Sequence, residues 1–150
     1  MKHQHTVVWI DHQRATVMHL SLLAPTLAGD VSSGRAYDLA SLGAEAHVIH
    51  SQSAKRKLHL KAGVRGDGRA PLDLPFFEAV VAELGAVEEV LIVGPGSAKT
   101  EFTHHLDRRH PQLAAHVVAV ETVDHPSDRE LLDFARRTFN RIDSLRGTTR

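Results

Sequence analysis

Two short apolar runs constrain this chain more than any other feature: Glu89-Val90-Leu91-Ile92-Val93 and His116-Val117-Val118-Ala119-Val120, each followed by a stretch of helical periodicity. An apolar run of this length without polar alternation reads as a strand covered on both faces. After the first run Gly94-Pro95-Gly96 turns the chain and Ser97 stands where it can cap a helix over 99–109, which carries Phe102 and Leu106 on one side. After the second, Ser127 and Glu130 have capping-box spacing ahead of a helix that uses Leu131, Leu132, Ala135, Phe139 and Ile142. Strands alternating with helices imply parallel pairing through helical crossovers.

Upstream, Pro75 suits a first helical turn, and Phe77, Val80, Val81 and Leu84 repeat at helical spacing until Gly85 ends the run. At the N-terminus, Thr6-Val7-Val8-Trp9-Ile10 and Arg14-Ala15-Thr16-Val17-Met18-His19-Leu20 flank a turn at Asp11-His12-Gln13, which predicts an antiparallel hairpin. Ala46–His50 adds a third strand, while Pro25, Gly29-Asp30 and Ser32-Ser33-Gly34 leave the stretch from Ser21 to Gly43 irregular. The predicted order is ββ(β)αβαβα, an α/β fold with a mixed sheet. A length of 150 residues without internal repeats makes 1–150 a single domain.

Composition narrows the class. Hydrophobic residues make up 42% and charged residues 24%, ordinary values for a globular domain. The absence of cysteine excludes disulfides, thiolate zinc sites and cysteine nucleophiles, and fits a reducing cytoplasm. No apolar run approaches the roughly 18–20 residues of a membrane span, and Met1-Lys2-His3-Gln4-His5 is no secretory signal. The expectation is a cytoplasmic chain with no membrane contact.

Eighteen basic and eighteen acidic residues cancel, yet they are unevenly placed. Lys55, Arg56, Lys57, Lys61, Arg65 and Arg69 stand against the single acid Asp67, interleaved with Gly63, Gly66 and Gly68, which predicts an exposed basic loop. The 12 histidines add charge in mild acid, so anion binding is expected to strengthen as pH falls.

Four patterns bear on chemistry. Gly94, Gly96, Ser97 and Lys99 form a possible anion-binding turn, although Ala98 before Lys99 breaks phosphate-loop spacing and a plain structural turn competes with that reading. Asp11, Glu121 and Asp124 at strand ends, with Asp128 beside them, could hold divalent metals for phosphodiester hydrolysis. Against this, Asp11 suits a hairpin turn, Asp128 suits a first helical turn and Glu121 suits solvent. The pairs His3/His5, His47/His50 and His104/His105 raise a zinc question. Strand and helix geometry point the second and third pairs apart, and the first lies in a terminus expected to fray. No Gly-x-Ser-x-Gly elbow nominates a catalytic triad. No catalytic residue, metal or cofactor is therefore assigned.

The hairpin around Val8-Trp9-Ile10-Asp11, the stretch Val90-Leu91-Ile92-Val93-Gly94-Pro95-Gly96-Ser97-Ala98-Lys99-Thr100-Glu101-Phe102, and Val117-Val118-Ala119-Val120-Glu121 with its closing helix together resemble a known family. That family is the central domain of archaeo-eukaryotic peptide release factors and of Pelota, especially its small bacterial stand-alone relatives. The resemblance covers most of the chain, is firmest over 88–140, and centres on Gly-Pro-Gly-x-x-Lys-x-x-Phe. It implies a three-layer, ribonuclease-H-like α/β topology. It also implies a loop after the third strand that faces ribosomal RNA or tRNA, on which release factors carry a Gly-Gly-Gln tripeptide supporting peptidyl-tRNA hydrolysis.

This sequence has no Gly-Gly-Gln. Ser51-Gln52-Ser53-Ala54-Lys55-Arg56-Lys57 stands at that place, and Gln52 lacks the flanking glycines that would let its backbone approach as closely. The leading expectation is therefore a non-enzymatic, translation-associated protein that binds ribosomal RNA, tRNA or the ribosome through Lys55–Arg69. A solvated charge run is the plain alternative for the same segment. A metal-dependent nuclease built on Asp11, Glu121 and Asp124, and an interaction module that docks or forms a homo-oligomer, are the other readings.

Overall fold

Strand β1 (His3–Ile10) places Val7 and Trp9 on one face and Val8 and Ile10 on the other, with all four side chains buried. A strand apolar on both faces needs cover on both sides, and that requirement organises the molecule. The computed structural model describes residues 3–22, 39–52 and 73–145. Within them β1 is followed by β2 (Arg14–Leu20), a 3-10 helix (Ala40–Leu42), β3 (Ala44–His50), α1 (Leu74–Leu84), β4 (Val87–Gly94), α2 (Ala98–Arg109), α3 (Pro111–Ala114), β5 (Val117–Thr122) and α4 (Asp128–Leu145). The predicted α/β order holds, with α3 and the 3-10 helix as additions.

The five strands form one mixed sheet in the order β3-β2-β1-β4-β5. The hairpin β1–β2 and the pair β2–β3 are antiparallel, whereas β1–β4 and β4–β5 are parallel. Residues of opposite parity lead to two separate cores. Val8, Ile10, Val17 and Ile92 pack beneath Phe77 and Val80 of α1 and Phe102 and Leu106 of α2. On the other face Val7, Trp9, Met18, Leu91 and Val93 meet Leu131, Leu132, Ala135 and Phe139 of α4. The result is three layers, and each fully buried large apolar side chain contributes roughly 1.5–3 kcal/mol.

Local signals act as their chemistry suggests. The Asp73 carboxylate accepts from the Phe76 N–H at 3.2 Å and caps α1, and Gly85 closes that helix at φ 62°, a conformation side-chain-bearing residues avoid. Ser127 and Glu130 make the reciprocal capping bonds at 2.8 and 3.1 Å. Buried Thr6 and His19 share a 2.7 Å hydrogen bond, and the second ring nitrogen of His19 lies 3.2 Å from the Glu83 carbonyl oxygen. Arg136 of α4 donates to the carbonyls of Ser21 and Leu42, and burial lowers its pKa from the ordinary value.

Three expectations need correction. The run ending at Val120 is not a buried strand: β5 is one of the two outermost strands of the sheet, Val117, Val118 and Ala119 are only half-buried, and Val120 is 40% exposed. The inner position falls to β4, whose Val90, Leu91, Ile92 and Val93 are fully buried. Ser97 stands at the N-cap position of α2 but makes no side-chain capping bond to the backbone; its hydroxyl donates instead to Glu101 at 3.1 Å. His5 is not in a frayed end, because β1 runs between β2 and β4: His5 pairs with Leu20 and Glu89 and sets its ring edge-on to Phe139 at 4.8 Å. No described helix is long and apolar enough to cross a membrane.

Candidate functional site

Parallel β1, β4 and β5 end at the same edge of the sheet, where β2 begins and β3 finishes. The hairpin turn, the Gly94–Ser97 turn, the Val123–Pro126 connection and the end of β3 at His50 are thereby brought to one edge. The six cations Lys55, Arg56, Lys57, Lys61, Arg65 and Arg69 lie outside the described residues. Their flanks are described, and they are tied together. The Ser51 N–H donates to the Gln13 carbonyl at 2.8 Å, and the Ser51 hydroxyl donates to the Asp73 carboxylate. Ser51 and Asp73, on either side of residues 53–72, thus meet close to the hairpin turn.

At the Gly94–Lys99 turn the polar side chains of Ser97 and Lys99 are engaged within the protein. A Cβ at Gly94 would collide with the carbonyl oxygen of Ile10, so this glycine permits the close approach of β4 to the end of β1. Lys99 directs its ammonium to the Gly96 carbonyl oxygen, and Ser97 holds Glu101. Glu101 also lies 3.2 Å from the His12 ring nitrogen. A carboxylate in the first turn of α2 takes the place where an anion would profit from the helix N-terminus. These contacts fit a structural turn.

Two carboxylates of the nuclease reading, Asp11 and Asp124, are similarly occupied. One Asp11 oxygen accepts from the N–H groups of Gln13 and Arg14 at 2.8 and 2.9 Å, fixing the hairpin turn, and its other oxygen lies 3.8 Å from His125. Asp124 pairs with His125 at 2.8 Å, and its backbone carbonyl accepts from the Trp9 indole at 2.6 Å. The His125 ring sits 5.1 Å from that of Trp9, and the Arg14 guanidinium lies 5.3 Å from the same Trp9 ring. Asp11, Glu121 and Asp124 do not converge as a metal-holding group of three.

One such group does exist among the described residues, and the sequence reading missed it. Glu78 of α1, His105 of α2 and His110 between α2 and α3 place their ligand atoms within 4.8 Å of one another. The same Glu78 oxygen accepts from His105 Nε2 at 2.6 Å and from His110 Nε2 at 2.7 Å. Hydrogen bonds from His110 and then His105 hold the Glu78 carboxyl below its ordinary pKa, against the opposing effect of desolvation. Among the histidine pairs, His104 and His105 do diverge, one exposed and one buried, and the partner of His105 is instead five positions on.

On an unbroken helix, residues five apart stand about 140° from one another, so the spacing carries no ligand signal. The chain breaks at His110, which has φ −138° and is followed by Pro111, and the break returns its ring to within 5.6 Å of that of His105. Only the proline after a histidine near a helix end hinted at this.

No protein-family profile and no curated protein matches the sequence. Solved structures do match the fold. Pelota from Archaeoglobus fulgidus aligns over 95% of this chain and 33% of its own, with 18% identity and a TM-score of 0.57. Pelota from Thermoplasma acidophilum aligns over 87% of this chain and 31% of its own, with 13% identity and a TM-score of 0.55. The chain thus spans about a third of the length of the structures it matches, and at this level of identity the likeness is one of fold: a mixed five-stranded α/β domain such as Pelota contains.

Proposed function

We propose that this chain is a translation-associated domain of the release-factor and Pelota type that binds ribosomal RNA or tRNA without hydrolysing peptidyl-tRNA. The observation that carries the reading is the alignment of 95% of the chain with Pelota at a TM-score of 0.57. Lys55, Arg56, Lys57, Lys61, Arg65 and Arg69 are the proposed contacts, in a segment whose two flanks, Ser51 and Asp73, are bonded to one another. Binding of this kind is phosphate neutralisation, so it is salt-dependent and weakly sequence-specific. The absence of Gly-Gly-Gln is the reason no hydrolytic role is proposed.

Sedimentation of the purified chain with ribosomes through gradients of stepped salt tests the proposal. Association at low salt that disappears at high salt is expected. Replacing Lys55, Arg56 and Lys57 together by Ala should flatten the slope of log K against log salt by about 0.9 per lost duplex contact, or about 0.7 on single strands. An unaltered slope moves the anion site away from this segment, and no association at any salt removes the reading.

A further inference from the structure

Two imidazole nitrogens and one carboxylate oxygen meet at the corner between α1 and the end of α2, away from the sheet edge described above. His105 is 2% exposed, with its ring 5.3 Å from that of Phe77 and 5.6 Å from that of His110, so packing fixes its orientation. The backbone of His110 is held as firmly: its N–H donates to Leu106 O at 2.7 Å, and its carbonyl accepts from Leu113 and Ala114 at 2.9 Å each. Glu78 is the exposed member, 48% accessible, on a side chain long enough to adjust.

We propose that Glu78, His105 and His110 form a binding site for a zinc-type divalent transition metal that joins α1 to the α2–α3 corner. Two histidines and a glutamate are a three-ligand set that zinc accepts in tetrahedral geometry, with the fourth position left to water on the solvent side of Glu78 and His110. Imidazole donors favour zinc and its neighbours over magnesium or calcium, which prefer oxygen ligands. Metal–ligand distances near 2.1 Å put the ligand atoms of a tetrahedral site about 3.4 Å apart. The present contacts of 2.6 and 2.7 Å therefore need to open by about three quarters of an ångström, which rotation of exposed Glu78 supplies, while the ligand atoms, all within 4.8 Å of one another, settle to that spacing by small side-chain adjustments. The packing of His105 and the backbone bonds of His110 hold both histidines at the corner, and Glu78 is the ligand with most freedom to adjust. The site is independent of the RNA-binding proposal, since none of its residues lies in the 55–69 segment.

Equilibrium dialysis of the tag-free full chain against Zn²⁺, with Co²⁺ as a spectroscopic probe, tests the site. The wild type is expected to bind one ion per chain tightly and to give the visible absorption of tetrahedral Co²⁺. Glu78→Gln and His110→Gln, both at exposed or half-exposed positions that leave the core intact, are each expected to weaken binding at least about 100-fold, the upper end of what even an outer-shell partner contributes. His104→Gln, on the same helix but exposed and outside the cluster, should bind as the wild type does. Absence of zinc binding by the folded wild type overturns the proposal. So does undiminished binding by both Glu78→Gln and His110→Gln, which would place the ion on the chain's other histidines.

Discussion

At the sheet edge, Asp11 gives one oxygen to two backbone N–H groups and faces His125 only at 3.8 Å, while Glu101 is shared between Ser97 and His12. At the α1–α2 corner, a single Glu78 oxygen meets two imidazole nitrogens at 2.6 and 2.7 Å. Both regions hold acids and histidines, and the edge holds more of them. They differ in what their atoms already do. Carboxylates at strand ends close to turns find unpaired backbone N–H groups nearby and stabilise the turn first. A carboxylate in mid-helix has its own backbone satisfied, so its side chain is left for partners from neighbouring elements. Convergence of side-chain atoms from separate elements, rather than local density of chemistry-bearing residues, separates a candidate site from well-made turns.

The sharpest way to break this contrast is at its support. Phe77 is 2% exposed and touches Phe102 and His105, so Phe77→Ala should destabilise the fold by about 3–5 kcal/mol in urea titration and release His105 from its fixed orientation. A loss below about 1 kcal/mol would mean that the corner does not rest on this aromatic packing. At the edge, Gly94→Ala adds a methyl group against the Ile10 backbone and should cost about 1–3 kcal/mol through separation of β4 from β1, read as a lowered melting temperature. If instead stability is unchanged and RNA binding falls, the turn is an anion site and the distinction between the two regions fails. The smallest effect belongs to Asp11→Asn. The amide oxygen accepts the same two N–H bonds, so stability should stay within about 0.5 kcal/mol and RNA affinity should not move. A magnesium-dependent nuclease activity present in the wild type and lost in this variant would make the edge catalytic.

The resemblance seen in the sequence agrees with the matched structures at the level of fold, and element order was legible because its signals are local. Periodicity marks Val80 and Leu84, a required positive φ marks Gly85, and reciprocal capping marks Ser127 and Glu130 within three residues. Asp11 was readable as a turn residue for the same reason: its partners, Gln13 and Arg14, are two and three positions away. The basic segment was legible as composition, although its cations lie outside the described residues.

Position within the sheet was not legible. The apolar runs at Val90–Val93 and Val117–Val120 look alike, yet one is fully buried and the other forms an edge, because burial depends on which strands flank each run. Pairing of β1 with β4 joins residues more than eighty positions apart, and no local pattern encodes that choice. The Glu78–His105–His110 cluster has the same origin: Glu78 lies 27 positions from His105, and the break at His110 matters only once α1 packs beside α2. Periodicity and capping act over a few residues and are written along the chain, whereas edge position and side-chain convergence arise when distant elements compete for the same apolar surface.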